Sequence, residues 1–456
     1  MKLFIVLLTG AFMLATGTSD VFAKKKEKVQ TEAKSDTVRT ASKKRNTQYP
    51  RLFKNKRVVT KKGLITIHKI DDKLYFEFPK SLLGREFLMG SSISATSDNT
   101  SGLVGQTMTT PLHIRFAIQE DQVYMQNVTP VSRMDVYSNQ SDISKAVAKS
   151  NITPDMESFK IAAYNMDSTA VVFEVTKFFL ADNKRLPLFD QNSSSLEDEK
   201  YGQLELKAVL KKNLSSIRNF YVFDDNLEIN LDMSFYQSLL ASKKEVRGGN
   251  VRVKAVYSML LLPEETMVWR LGDPRLGYTF TKKQKISTEK DGTAFSYLQH
   301  KWNLLPADEE AYRRGDLVAP RKPVVFYIDS DFPEAWKKAI KEGVNWWNEA
   351  FKMAGFKDAV QTADFPANDT TFYAGNLKYS CIRYVPVNLS KTQSKVWVDP
   401  RSGEIINGTI FVGHDIAKTI ASQRFVQTAQ VDERMRGIQL SEEVLLEGIR
   451  LYEAIV

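Results

Sequence analysis

The chain has 456 residues, of which 43% are hydrophobic and 11% aromatic, so it can form two or three domains with apolar cores. Its single cysteine, Cys381, excludes an internal disulfide bond. The net charge of +10 comes from residues 24–62, which contain 15 Lys/Arg and 3 Asp/Glu, so the remainder is close to neutral and lacks the basic face of a nucleic-acid-binding protein.

The first residues have the pattern of a secretory signal peptide. Lys2 precedes an apolar run over residues 3–14, and Val21 and Ala23 provide the small side chains of a cleavage site. A membrane anchor is the alternative, but the run is shorter than the roughly 20 apolar residues that a span needs. The sequence therefore predicts a signal peptide at residues 1–23, no transmembrane segment, and export to the periplasm, the outer surface or the extracellular medium.

A basic segment follows the signal peptide. Residues 24–50 have no apolar periodicity, which predicts a disordered linker. The excess of Lys and Arg over residues 24–62 could give weak contact with anionic surfaces such as lipid or polysaccharide. The alternative is a solvated spacer without a partner. Nucleic acid is not an expected partner of an exported protein whose remaining surface is near neutral.

Alternating apolar and polar residues between 51 and 300 predict antiparallel β-strands joined by short turns. The first three strands would form a small β domain at residues 51–92. The others would form a larger β-rich domain at residues 93–300, built as a sandwich or a barrel-like sheet. Gly248 and Gly249 are expected to form a turn between two late strands. The predicted strands cover residues 64–70, 74–78, 86–92, 112–119, 122–126, 159–164, 169–176, 228–235 and 250–262.

A strand and an amphipathic helix open the C-terminal region, residues 320–456. The strand covers residues 324–328, and Asp331 is placed to cap a helix that ends at Gly355. The apolar face of this helix carries Trp336, Ile340, Val344, Trp347 and Phe351. Further strands are predicted at residues 378–385, 395–398 and 405–412, the last two forming a hairpin around the turn at 399–404.

The last segment predicts a helix that begins at Ser441, with Glu442 and Glu443 in its first turn. Its apolar stripe contains Leu445, Ile449, Tyr452 and Val456. The stripe ends without a glycine cap or a polar tail, which predicts that the polypeptide is interrupted here. Residues 320–456 are then expected to be marginally stable, while the β domains fold independently.

The sequence contains no complete catalytic or metal-binding motif. No two of its four histidines are four residues apart, so no H-E-x-x-H zinc motif can form. His68, His113 and His300 are expected to be structural. His414, beside Asp415, is a candidate general base, and a structural role is the alternative.

Two other features could suggest chemistry. Cys381 could act as a nucleophile with His414, but its apolar strand favours a buried small hydrophobe. The pair Trp346 and Trp347 could stack on carbohydrate, but the helical stripe predicts Trp347 as a core residue with Trp346 beside it. The sequence therefore predicts no catalytic residue and no metal ligand.

Several segments of the C-terminal region resemble a known family. These segments are residues 322–329 (KPVVFYID), 342–351 (EGVNWWNEAF), 399–405 (DPRSGEI) and 440–444 (LSEEV). They resemble the opening strand and helix, the hairpin and the start of the active-site helix in large exported bacterial zinc metalloproteases with a metzincin-like catalytic domain. The N-terminal part resembles the two preceding domains of unknown function in that family. That second likeness is carried by residues 74–79 (LYFEFP), 81–85 (SLLGR), 163–165 (AYN) and 273–278 (DPRLGY).

The resemblance implies an α+β fold, with β-rich antiparallel N-terminal domains followed by the upper half of a metzincin-like mixed α/β catalytic domain at residues 320–456. In the family, two helical histidines bind zinc and the glutamate between them activates water. This sequence ends before that motif, so no zinc ligand can be assigned to it, although zinc is the family's cofactor. The scaffold does imply an edge strand for an extended peptide substrate at residues 405–413, with candidate contacts Ile410, Phe411, Val412 and Gly413.

Two hypotheses on function follow. In the first, the chain is the N-terminal part of an exported zinc metalloprotease, inactive alone because the zinc motif is missing. In the second, it is an exported β-rich binding or interaction protein without enzymatic activity. The apolar end of the last helix favours the first hypothesis.

Overall fold

The computed structural model describes residues 48–455 except 100, 101, 106, 130–133, 137–140, 190–195, 199, 201, 287–292, 370, 387–391 and 436–440. The predicted signal peptide, almost all of the basic linker and Val456 lie outside the described residues. Residues 46–456 belong to one compact unit. No helix in the described part of the chain is long and apolar enough to cross a membrane.

The structure is rich in β-strands. They are β1 (Val58–Lys62), β2 (Thr66–Ile70), β3 (Lys73–Pro79), β4 (Glu86–Thr96), β5 (Leu112–Gln119), β6 (Gln122–Asn127), β7 (Met134–Val136), β8 (Asp155–Tyr164), β9 (Ala170–Glu174), β10 (Leu196–Asp198), β11 (Gly202–Leu210), β12 (Ser216–Val222), β13 (Asn226–Ala241), β14 (Lys244–Leu261), β15 (Phe280–Ile286), β16 (Thr293–Gln299), β17 (Val324–Ile328), β18 (Val360–Asp364), β19 (Ser380–Val385), β20 (Gln393–Val398) and β21 (Ile405–Gly413). The α-helices are α1 (Ser141–Ser150), α2 (Thr176–Phe179), α3 (Glu309–Arg314), α4 (Glu334–Asn345), α5 (Trp347–Met353), α6 (Ile416–Thr428) and α7 (Glu442–Ile455).

The described strands form three sheets. The largest has 13 antiparallel strands in the order β1-β2-β3-β9-β8-β6-β5-β4-β14-β13-β11-β10, with β12 also paired to β13. A three-stranded sheet has the order β16-β15-β7, and a five-stranded sheet has the order β18-β17-β19-β21-β20. The predicted antiparallel, β-rich N-terminal part is therefore confirmed.

The large sheet curls so that its two ends meet. Near β2, the backbone N–H of Leu64 donates to the carbonyl oxygen of Phe223 after β12, at 2.6 Å, and Lys69 Nζ donates to the carbonyl oxygen of Ile217 at 2.7 Å. The inner face of the curl holds one apolar core, in which Phe179 and Tyr257 have ring centroids 5.6 Å apart. The prediction left a sandwich and a barrel-like sheet open, and the structure has a single curled sheet.

The predicted boundary between the two β domains falls inside β4. This strand covers Glu86–Thr96 and pairs with β5 on one side and β14 on the other. Residues on both sides of position 92 therefore share one sheet and one core. The sequence could not reveal this, because the strand pairing joins segments about 160 residues apart in the chain.

The turn predicted at Gly248 and Gly249 is wrong. Both glycines lie within β14, and the turn is formed by Ser242 and Lys243, whose φ angles are 47° and 67°. A two-residue hairpin turn of type I′ requires positive φ at both central positions, and glycine, although favoured there, is not obligatory. Glycine at position 248 leaves room for neighbouring side chains, because a Cβ there would meet Glu245 Oε1 and would lie 2.6 Å from Tyr236 Oη.

The predicted strand and helix after residue 323 are present, but the helix is broken. It splits into α4 and α5 at Trp346, and Asp331 does not cap it, because Pro333 precedes its first residue without a side-chain cap. Trp336, Ile340 and Val344 are buried as predicted. Trp347 is 49% exposed, so its prediction as a core residue is wrong, although Phe351, four residues later, packs against the same apolar cluster as Ile340.

Candidate functional site

The two faces of the five-stranded sheet have different neighbours. Strands β17, β18, β19 and β21 run parallel to one another, and β20 is antiparallel to β21 at one edge. One face packs against α4, α6 and α7 around Ile328, Ile382 and Val412. The other face lies against the large sheet, where Trp397 and Leu377 share an apolar cluster with Leu260.

The strand predicted as a substrate edge lies inside the sheet over most of its length. Ile410 pairs with Ile382 of β19 and with Ser394 of β20, and Phe411 is also paired on both sides. Val412 and Gly413 pair with β19, beyond the end of β20. The edge prediction for residues 405–413 is therefore corrected: the edge strand is β20, which the antiparallel hairpin folds onto the outside of β21. Peptide binding by Ile410, Phe411, Val412 and Gly413 stays a prediction.

The last helix packs as its apolar stripe predicts. Ile449 is buried, and Leu445 and Tyr452 pack against the same cluster as α4. Arg450 Nε lies 2.7 Å from Glu342 Oε2, which ties α7 to α4. The stripe position at Val456 lies outside the described residues.

Three of the four histidines have structural surroundings, as predicted. His68 Nε2 lies 2.9 Å from Glu77 Oε2, and His113 Nε2 lies 2.9 Å from Glu86 Oε2. His300 Nε2 lies 2.9 Å from Thr281 Oγ1, and burial lowers the pKa of its imidazole. These contacts join each ring to a neighbouring strand, and both ring nitrogens of His68 have a partner, since its Nδ1 lies 2.8 Å from Thr60 Oγ1.

His414 follows the carboxyl end of β21, where parallel sheets commonly bind ligands. Its Nδ1 lies 2.6 Å from Tyr384 Oη, and its ring stacks on Trp336 at 5.8 Å between centroids. Cys381 is buried on β19, and burial raises the pKa of its thiol to about 12, so a thiolate does not form near neutral pH. Within the described ranges no three His, Cys, Asp or Glu side chains are grouped to hold a metal.

A cleft of about 540 Å³ lies between the large sheet and the five-stranded sheet, and we call it the intersheet cleft. One wall comes from β4, β12, β13 and β14, and the other from β19, β20, β21 and the loop at residues 365–379. Two buried asparagines hold this loop. Asn226 Nδ2 donates to Asn376 Oδ1 at 2.8 Å, and Asn407 Nδ2 donates to the carbonyl oxygens of Leu377 and Tyr379 at 2.9 and 2.8 Å.

A buried carboxyl group joins the walls of the intersheet cleft. Tyr373 Oη donates to Glu228 Oε1 at 2.5 Å, and Asn230 Nδ2 donates to the same oxygen at 2.9 Å. Burial raises the pKa of Glu228, while these two donors oppose the rise because they stabilise the carboxylate. The pKa of Tyr373 is raised by burial and by the neighbouring Glu228.

Lys395 of β20 faces the same cleft. Its Nζ lies 3.3 Å from Ser92 Oγ and 5.1 Å from the ring centroid of Trp397. Burial lowers the pKa of Lys395 to about 8, although Glu228 favours the charged form and Arg383 opposes it. The ammonium form therefore still predominates near neutral pH.

The buried Lys395 predicts that stability rises with pH. Between pH 8 and about 10.5 the folded protein has released this proton while the unfolded chain retains it, so the unfolded state binds more protons. We expect the unfolding free energy of the protein, minus that of Lys395→Met, to increase over this range by up to about 3 kcal/mol. Urea titrations at pH 7.5 and pH 10 measure it. A constant difference would contradict the account.

Sequence reasoning missed Glu228, Tyr373, Arg383 and Lys395. One signal was available on β13, where the polar residues at 226, 228 and 230 alternate with leucine and isoleucine. Residues on both faces of this strand are buried. A strand with both faces buried and one face polar is covered on its polar side by another polar layer. The identity of that layer depends on the loop at residues 365–379, about 150 residues away in the chain.

Comparisons with known proteins match two segments of the chain. Residues 47–96 match a family described as a domain of unknown function, DUF5118, and residues 105–307 match another, DUF5117. No curated protein matches the chain, and no solved structure matches it. The two matched segments are consistent with the prediction of two N-terminal domains of unknown function ahead of the C-terminal region.

Proposed function

We propose that the chain is the N-terminal part of an exported zinc metalloprotease, in which residues 320–456 supply the scaffold and substrate side of the catalytic domain. The observation that carries the proposal is the order of the C-terminal sheet. Parallel strands β17, β19 and β21 are followed outward by the antiparallel edge strand β20, and α4 and α7 lie on one face. The sequence resemblance of residues 322–329, 342–351 and 399–405 to the metalloprotease family supports the same assignment.

In this proposal, β20 takes the peptide substrate. Among the described strands it pairs only with β21, so its outer backbone groups can add an extended peptide as a further strand. Ser394 and Val396 are exposed on one face of β20 and would contact alternate side chains of the peptide. Lys395 and Trp397 are buried on the other face and fix the strand to the large sheet.

Zinc would polarise the scissile carbonyl group and activate water in the complete protease. The residues that the structure describes do not fit such a site, because they contain no group of three ligands. The zinc ligands in this proposal are therefore residues outside this sequence, and no step of hydrolysis is assigned to the residues within it.

The second hypothesis is an exported binding or interaction protein, and the intersheet cleft is the observation in its favour. The coding DNA beyond codon 456 distinguishes the two hypotheses. The protease proposal expects an H-E-x-x-H motif within about ten codons. A stop codon followed by unrelated sequence in all frames would contradict the protease proposal and leave the binding hypothesis.

A further inference from the structure

Two basic side chains line the intersheet cleft from the five-stranded sheet, the buried Lys395 and the half-buried Arg383. Lys395 is 8% exposed, and its Nζ contacts Ser92 Oγ at 3.3 Å. Arg383 on β19 places its guanidinium 5.5 Å from the ring centroid of Phe411, and its Nε is buried without a hydrogen-bond partner among the described residues. A buried N–H without an acceptor is unfavourable, so the cleft contains an unsatisfied, positively charged donor.

The opposite wall does not neutralise this charge. Arg218 and Lys254 also line the intersheet cleft, but both are exposed and Arg218 Nη1 lies 3.8 Å from Asp232 Oδ1. Glu228 provides the carboxyl group of the described lining. Tyr373 and Asn230 already donate to Glu228, and burial raises its pKa, which lowers the negative charge available to the cations. The described lining therefore carries more positive than negative charge, and its buried part contains Lys395 and the Nε atom of Arg383.

We propose that the intersheet cleft binds an oxyanion, a carboxylate, phosphate or sulfate group carried by a small molecule, between Arg383 and Lys395. A planar guanidinium beside an ammonium group matches the oxygens of such an anion in geometry and charge. The site lies on the face of the five-stranded sheet opposite to the helices, so it is separate from peptide binding along the outer side of β20.

The remainder of the intersheet cleft suits an organic ligand. Tyr221 and Tyr373 stack at 4.2 Å between centroids and form an aromatic wall. The cleft volume of about 540 Å³ is in the usual range for small-molecule sites. Asn226 and Asn407 hold the loop that carries Tyr373, so the site is largely formed before the ligand arrives.

Calorimetric titration with sodium sulfate tests the proposal, since sulfate stays fully ionised above pH 6. We expect saturable binding at pH 7 that Arg383→Gln weakens by about tenfold or more. Lys207→Met removes an exposed lysine on β11 and should leave the binding unchanged. Parallel titrations with acetate and inorganic phosphate show whether a carboxylate or a phosphate is preferred.

A second measurement does not depend on substitutions that could impair folding. The affinity for sulfate should fall as the pH rises from about 7 to 9.5, because Lys395 loses its proton while Arg383 keeps its charge. Glu228 and Arg383 are the charged groups that act on this lysine. Arg383 keeps its charge over this range, and Glu228 can only become more negative, which also weakens anion binding. Absence of saturable binding for all three anions would overturn the proposal. Unchanged affinity in a normally folded Arg383→Gln protein would also overturn it.

Discussion

Replacement of Trp397 with alanine is expected to destabilise the protein by about 3–5 kcal/mol. Trp397 is fully buried and joins the five-stranded sheet to the large sheet through contacts with Leu88, Leu260 and Leu262. Its ring lies so close to β4 that a Cβ at Gly90 would be 3.1 Å from Trp397 Cη2. The indole N–H has no hydrogen-bond partner within the described ranges, so the loss reflects packing and the contact of the ring with Lys395 Nζ at 5.1 Å.

Urea unfolding followed by circular dichroism measures this effect. Trp269→Ala is the matched control, because Trp269 is 49% exposed, and it should change the unfolding free energy by less than about 1 kcal/mol. The Trp397→Ala protein should also unfold in two steps, since the contact between its sheets is weakened. Equal, small effects of the two substitutions would show that the sheets do not depend on this contact.

Replacement of Gly403 with alanine is expected to destabilise the protein by roughly 3 kcal/mol or more. Gly403 has a φ angle of +80°, and a Cβ there would lie 2.5 Å from the carbonyl oxygen of Gln299. Its own carbonyl oxygen accepts from the N–H of Lys301 at 3.0 Å. With alanine at 403, the turn at residues 399–404 could not stay this close to Gln299, and the β20–β21 hairpin would shift.

Gly277→Ala separates backbone strain from the steric clash. Gly277 has a φ angle of +76°, but a Cβ added there would have no other atom within 4 Å. We expect a loss of only about 1 kcal/mol for this substitution in thermal and urea unfolding. If Gly277→Ala and Gly403→Ala destabilised the protein equally, the close approach of Gln299 to the turn would have no energetic consequence.

The local alternation of apolar and polar residues predicted the strands of the large sheet well. The hairpins β2–β3, β5–β6 and β8–β9 follow from alternation and polar turns, because each depends on residues close in sequence. The same pattern could not decide where a domain ends. Strand β4 pairs across the predicted boundary at residue 92, and such pairing is a property of the tertiary structure.

Helical periodicity predicted burial less well near the break between α4 and α5. Trp336 and Ile340 are buried as the stripe predicts, but Trp347 at the start of α5 is 49% exposed, because the apolar cluster under α4 does not extend over its ring. The edge assignment of residues 405–413 failed for a similar reason. The hairpin was predicted correctly, but the sequence could not say which of its two strands joins β19.

The sequence also predicted that the C-terminal region would be marginally stable and the β domains independent. The structure argues for mutual dependence, because Leu377 and Trp397 complete an apolar cluster with Leu88, Leu260 and Leu262. Asn226 and Asn376 add a buried hydrogen bond across the same contact. Separate expression of either part would expose these groups to water, which favours aggregation.

The residues of the candidate site were also predictable only where neighbours in the sequence determine their surroundings. The structural histidines and the buried cysteine were predictable, because strand context favours burial of such side chains. The cluster of Glu228, Tyr373 and Lys395 was not, since its members come from segments far apart in the chain and are grouped only by the contact of two sheets.

The most direct test of the metalloprotease proposal is isolation of the natural protein with an antibody against residues 107–129, followed by zinc analysis and a peptidase assay. We expect about one zinc ion per polypeptide and hydrolysis of unfolded protein substrates that a chelator abolishes and added zinc restores. A protein without zinc and without chelator-sensitive hydrolysis would contradict the proposal.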